Sequence, residues 1–207
     1  MFTGIITDIG IIKSNVDKGD FITCEIETKY KSDSILLGAS IACSGVCLTA
    51  IKMQQVLDEK CLFTVDVSPE TIAKTTAKDW KVGTALNLER AMQAGDEFGG
   101  HMVSGHVDQI AKVIDRIDND GGALYKIEMA ENIKPFIADK GSVCLDGTSL
   151  TVNKVCKDHF EIMLIPHTLE VTTWGKTQAG DLINLEIDTF ARYVARYVDT
   201  ALAAKGL

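Results

Sequence analysis

Apolar and polar residues alternate in part along Phe21-Ile22-Thr23-Cys24-Glu25-Ile26-Glu27-Thr28, the pattern of a strand with one buried face. Similar β-rich stretches span Phe2 to Lys13, Ser40 to Lys52, Leu62 to Val67 and Ala85 to Glu89. A second series follows at Val103 to Ile114, Ala123 to Met129, Ser142 to Val155, Phe160 to Ile165 and Leu182 to Ile187. Many short strands punctuated by glycine predict an antiparallel barrel or sandwich in each half. Ser68-Pro69-Glu70-Thr71 predicts one short helix, with a capping serine and proline at the first helical position. Pro166 predicts its counterpart. From Phe190 the spacing turns helical. Phe190, Val194, Tyr197, Val198, Ala201 and Leu202 form one apolar stripe, which suits packing on its own barrel or contact with another copy. The joint between halves falls near Gly95 to Gly100. The expected units are residues 1–97, 98–188 and a terminal helix over 189–207.

The two series are copies. Met1 to Ile6 returns as Met102 to Val107, and Ser40 to Lys52 returns as Ser142 to Lys154. Pro69-Glu70-Thr71 with Thr75-Thr76 returns as Pro166-His167-Thr168 with Thr172-Thr173. Gly83 followed by Asn87-Leu88-Glu89 returns as Gly180 followed by Asn184-Leu185-Glu186. All four blocks keep their order, displaced by roughly a hundred residues, about one domain length. A duplicated unit implies two similar pockets, so the positions where the copies differ carry the most information.

The 207 residues are 46% hydrophobic and 24% charged, enough chain for two cores. A net charge of -8 argues against a nucleic-acid partner or an anionic membrane surface, which need clustered Lys and Arg. No membrane span or leader pattern is evident. The six cysteines include no C-x-x-C pair, which argues against zinc and fits free thiols in a reducing cytoplasm. His101 and His106 lack the spacing of a helical zinc pair, so no metal is expected. The glycine patterns of phosphate-binding loops are missing.

Four groups of residues are candidates for chemistry. Gly4 and Gly105 sit in predicted strands, where glycine marks a bulge or a ligand's close approach. Cys47 and Thr49 face one side of a predicted strand, and Ser149 and Thr151 repeat the arrangement with a hydroxyl in place of the thiol. His106 stands where the first copy has Ile5, and His167 where it has Glu70. A histidine gained beside the repeated glycine suits acid–base work. Asp188 follows a predicted strand, and the local pattern favours a helix cap.

MFTGII, Gly45-Val46-Cys47-Leu48-Thr49, Glu97 to Val107, Asp146 to Thr151 and Ile165-Pro166-His167-Thr168 together closely resemble the riboflavin synthase family. The resemblance runs from Met1 into the terminal helix. It implies an all-β chain of two similar six-stranded antiparallel Greek-key β-barrels in tandem, plus a C-terminal α-helix that trimerises. It implies four-carbon transfer between two molecules of 6,7-dimethyl-8-ribityllumazine, giving riboflavin and 5-amino-6-(ribitylamino)uracil without cofactor or metal. Sites between subunits and an association with lumazine synthase are implied as well. Carried over, one pocket uses Gly4, Ile5, Ile6, Cys47, Leu48, Thr49, Asp66, Val67, Ser68, Pro69, Glu70 and Thr71. The other uses Gly105, His106, Val107, Lys140, Ser149, Leu150, Thr151, Leu164, Ile165, Pro166, His167, Thr168 and Leu169. Ser40, Cys47, His106, Thr151 and Asp188 match positions the family associates with catalysis. For Cys47 the preferred reading is substrate contact without proton transfer. Some relatives carry two adjacent cysteines where this chain has Val46-Cys47. Related lumazine-carrying proteins of light emission share the duplicated fold without turnover, and are the alternative.

Overall fold

A computed structural model describes residues 1–56 and 60–205; the last two positions of the expected terminal unit, 206 and 207, lie outside the described residues. The first half contains β1 (Asp8–Asp17), β2 (Ile22–Thr28), β3 (Ser40–Cys43), β4 (Val46–Thr49), β5 (Lys52–Gln55), β6 (Cys61–Val67), helix α1 (Pro69–Lys74) and β7 (Ala85–Arg90). The second contains β8 (Gln109–Asn119), β9 (Gly122–Glu128), β10 (Ser142–Leu145), β11 (Thr148–Val155), β12 (His159–Leu164), α2 (Pro166–Val171) and β13 (Leu182–Ile187), followed by α3 (Thr189–Ala203).

The second half closes as a six-stranded barrel in the order β10-β11-β12-β9-β8-β13, every pairing antiparallel. The first half has the same plan with seven strands, ordered β4-β3-β7-β1-β2-β6-β5. The extra strand is a break. β11 runs unbroken and pairs with both its neighbours, whereas the matching stretch splits at Ala50-Ile51. There Ala50 N donates to Ala39 O beside β3, and Ile51 N donates to Thr64 O on β6. Two apolar cores fill the barrels. Cys24, Ile26, Phe63, Val65 and Leu88 are buried in the first, and Tyr125, Ile127, Phe160, Ile162 and Trp174 in the second. Tyr125 packs edge-on to Trp174 and donates to its carbonyl at 2.7 Å, so this large aromatic pair is buried with its hydroxyl satisfied.

Four expected strands are revised. The chain from Phe2 to Thr7 is not strand, nor is Val103 to Asp108: β1 begins at Asp8 and β8 at Gln109. Gly4 and Gly105 adopt φ of +78° and +79°, outside the β region, and stop each strand from starting earlier. Phe2 and Val103 instead form an isolated antiparallel bridge, with mutual N–H to carbonyl bonds of 2.8 and 3.1 Å. Ser40 to Lys52 is a hairpin rather than one strand, turned at Ser44-Gly45 (φ 45° and 81°). Ser142 to Val155 turns likewise at Asp146-Gly147 (φ 44° and 80°). Two consecutive left-handed residues are what a two-residue hairpin needs, and Asp-Gly is a preferred pair for it.

The barrels meet about an approximate twofold axis. Asn87 of the first barrel donates from Nδ2 to Asp146 O and accepts at Oδ1 from Thr173 N, at 2.9 and 2.8 Å. Asn184 of the second donates to Ser44 O and accepts from Thr76 N, both at 2.8 Å. Both side chains are buried and fully engaged with the opposite barrel. The two hairpin turns press together, so a Cβ on Gly45 or on Gly147 would lie 2.8 Å from the other's amide nitrogen.

Candidate functional site

The repeated glycines lie where the barrels touch. Glu89, buried on β7, accepts from Thr3 N and Thr3 Oγ1 at 2.7 Å and from Gly4 N at 2.9 Å. Glu186 on β13 does the same for Ser104 and Gly105, at 2.7, 2.6 and 2.9 Å. Burial pushes both carboxyls up, and the donated hydrogen bonds pull them partly back. So fixed, each glycine turns its carbonyl to the other barrel. Gly4 O accepts from Ser149 N at 2.8 Å, and Gly105 O accepts from Cys47 N at 2.9 Å. A Cβ on Gly4 would lie 2.5 Å from Ser149 Cβ, and one on Gly105 would lie 2.6 Å from Cys47 Cβ. The close approach expected at these glycines is made by the opposite strand's backbone.

This contact brings candidate residues of the two barrels together. Within one chain, Gly4 lies against Ser149 and Gly105 against Cys47. Each contact, a mouth between the barrels, is flanked by residues of both. Ile5 and His106, which mark the difference between the copies, are both exposed next to these contacts. Cys47 and Ser149 are half-buried. Ser40 pairs with Thr49, and Ser142 with Thr151, across the two hairpins. Asp66 is exposed on β6 and bonded to Thr23, and Ser68 caps α1 as expected. Glu70, Ile165, Pro166 and His167 are exposed, whereas Thr71, Thr168 and Leu169 are half-buried. Lys140 is exposed with φ +64°. Leu48, Val67, Leu150 and Leu164 are side chains of the cores, so only their backbone is free for a ligand. Asp188 caps α3, accepting from Phe190 N at 2.8 Å.

One residue beside Ser149 enters the site unannounced by the repeat. His101 is buried, its Nδ1 lies 2.7 Å from Ser149 Oγ, and its backbone N donates to Thr3 O. Burial holds its imidazole below the usual range, and the charge of Asp188 offsets part of this. Elsewhere, Cys156, His159 and Glu161 bring ligand atoms within 4.8 Å of one another on the β11–β12 hairpin. The tight turn forces these three onto one face. They are one short of a closed four-ligand site, and Lys154 pairs with Glu161 in the register there. All six cysteines are free; burial pushes Cys24 up to about 11, and raises Cys43 and Cys144 further. Cavities of ≈ 630 Å³ beside Thr3, Ile5 and Glu89, and of ≈ 560 Å³ between the barrels at Thr76 and Thr173, hold none of Cys47, His106, Ser149 or Thr151. Among the described residues no helix is long and apolar enough to cross a membrane.

The fold is a duplicated barrel with two matched, non-identical contacts between its halves. A family model described as the lumazine binding domain matches residues 3–91 and again 104–188. The chain belongs to this family, and within it to the riboflavin synthases. It is 48% identical over 196 residues to the riboflavin synthase of Brucella abortus (strain 2308), covering 95% of this chain and 97% of that one. It is 39% identical to that of Photobacterium phosphoreum (95% and 88%) and 37% identical to that of Bacillus subtilis (strain 168) (97% and 91%). The crystal structure of LumP complexed with riboflavin shares the fold, with a TM-score of 0.77 at 22% identity over 90% of this chain and 99% of that one.

Proposed function

We propose that this chain converts two molecules of 6,7-dimethyl-8-ribityllumazine into riboflavin and 5-amino-6-(ribitylamino)uracil. The two products together contain all the atoms of the two substrates, so no oxidant, reductant or cofactor enters. The observation that carries the reading is the pair of matched contacts, Gly4 against Ser149 and Gly105 against Cys47, built alike yet flanked by different side chains. Such a chain presents two copies of one molecule in two chemical settings. Its similarity to synthases over nearly the whole chain favours turnover over the carrier role of LumP, which is more distant.

The chemistry suits the residues. The 7-methyl of the lumazine is a carbon acid, because its anion delocalises into the electron-poor ring. Holding two rings face to face can contribute as much as ~7–11 kcal/mol. His106 is exposed and free to assist proton transfer. Ser40, Cys47 and Thr49 shape the place of addition at the acceptor's C7, and Thr151 and Asp188 position or protonate opposite. Gly4 to Ile6, Asp66 to Thr71, Gly105 to Val107, Lys140, Ser149 to Thr151 and Leu164 to Leu169 supply the remaining contacts, the four core leucine and valine positions through their backbone. The working units are 1–97, 98–188 and the helix from 189.

The working form in this proposal is a homotrimer with each site shared between neighbours, in a reducing cytoplasm and open to association with lumazine synthase. The outward stripe of α3 supports the trimer, and the six free thiols support a reducing compartment. The test is direct. Incubation with the lumazine alone should yield one riboflavin for every two lumazines consumed; tight binding without conversion identifies a carrier instead.

A further inference from the structure

Among the described residues, one buried side-chain nitrogen or oxygen lacks a hydrogen-bond partner, Nε2 of His101. His101 is 8% exposed, and the other nitrogen of its ring lies 2.7 Å from Ser149 Oγ. Buried polar groups are nearly always paired, so an orphan demands a reason. We propose that His101 is a positioning residue: it donates from Nδ1 to Ser149 Oγ and so leaves the Ser149 hydroxyl hydrogen free to be donated to an acceptor atom of the bound pteridine ring. The proposal rests on the lumazine reading above.

The argument is one of hydrogen placement. A neutral imidazole carries one N–H. If that hydrogen sat on Nε2, a buried donor would have no acceptor, the rarer and more costly kind of orphan. With the hydrogen on Nδ1, the orphan is a bare lone pair and Ser149 Oγ becomes the acceptor. Its own hydrogen must then point elsewhere, and Ser149 is half-buried at the mouth that Gly4 closes. Gly100 makes the arrangement fit. A Cβ there would lie 2.0 Å from Thr3 O and 3.0 Å from Ser149 Oγ. No imidazole bonds the Cys47 thiol at the matching place among the described residues, and a thiol is a weak donor. The two mouths therefore offer the two rings unequal polarisation: an aimed hydroxyl in one, a soft thiol in the other.

Two measurements test this. Nitrogen-resolved NMR of the histidine rings, assigned with His101→Gln, should find the hydrogen of His101 on Nδ1; a hydrogen on Nε2 overturns the proposal. In the turnover assay, His101→Phe and Ser149→Ala should each lower kcat by about tenfold with KM nearly unchanged, and the double variant should be within about twofold of the worse single. Independent losses that multiply to about a hundredfold overturn it. His101→Asn, which keeps a donor on a shorter side chain, should recover most of the loss, and it decides the matter where His101→Phe fails to fold; no recovery counts against the proposal. A wild-type protein that binds lumazine without making riboflavin defeats the synthase reading alone, because the NMR still reports which nitrogen of His101 faces Ser149 with its hydrogen.

Discussion

Asn87 and Asn184 occupy matching positions in the two barrels, and each engages its whole side-chain amide with the other barrel. Asn87 bonds Asp146 O and Thr173 N; Asn184 bonds Ser44 O and Thr76 N. The interface is thus specified by two reciprocal clasps with all four bonds satisfied. Asn87→Ala or Asn184→Ala strands a buried N–H and a carbonyl at once. Each should lower the unfolding free energy by about 2 kcal/mol, read as a lower urea midpoint. A loss no larger than that of an exposed control such as Asn119→Ala would show that the clasps contribute nothing net.

Gly4 and Gly105 should tolerate no side chain. Alanine at either would combine a left-handed backbone with a Cβ 2.5 or 2.6 Å from the opposite Cβ. Strain and overpacking together predict a loss of about 3 kcal/mol. Gly19 shares the left-handed backbone (φ +87°) with nothing within 4 Å, so Gly19→Ala should cost only about 1 kcal/mol. Denaturant titration of the three variants separates crowding from strain, and equal losses would remove crowding from the account.

Asp146 gives the fold a pH dependence of definite sign. Burial raises its carboxyl to about 7. From about pH 4 upward the folded chain keeps a proton that the unfolded chain has released. The stability contributed is therefore complete below the unfolded pKa and is lost as pH rises through about 7. Asp146→Asn keeps an acceptor for Asn184 N, suits the left-handed backbone at φ 44°, and does not ionise. Its midpoint should gain on that of wild type as pH rises from about 5 to about 8. A difference that stays flat would mean Asp146 titrates normally.

Helix α3 buries none of its residues. Phe190, Tyr193, Val194 and Tyr197 are all more than 60% exposed, so packing on its own barrel is not what the stripe does. Arg192 anchors the helix through a two-pronged pair with Asp108 at 2.7 and 2.8 Å. Phe190→Glu with Tyr197→Glu should leave each chain folded and yield monomers by light scattering, with turnover lost if sites lie between subunits. An unchanged mass would assign the stripe another purpose.

Much of this was readable from residue order. The duplication, the capped helices and the amphipathic tail all follow from local patterns, and Asn87 and Glu89 stood out as repeated. Their role did not, because the partners of Asn87 lie 59 and 86 residues away. Strand lengths were misjudged wherever one residue pair sets the backbone. Ser44-Gly45 and Asp146-Gly147 sit within otherwise strand-like runs, and their left-handed turns fold each run in half. His101 was weighed only as a metal ligand, because it lies one residue before the repeated block and comparing the copies gave it no counterpart. Its importance comes from burial beside Ser149, which spacing alone does not reveal.

The contact between Gly45 and Gly147 constrains how such a chain evolves. Each turn is the other's mould: a new bend or a single added methyl in one displaces its twin, so neither backbone is free to wander alone. Side chains facing the mouths carry no such tie. Divergence after the duplication had room beside this fixed point, and Cys47 against Ser149 with Ile5 against His106 lies there.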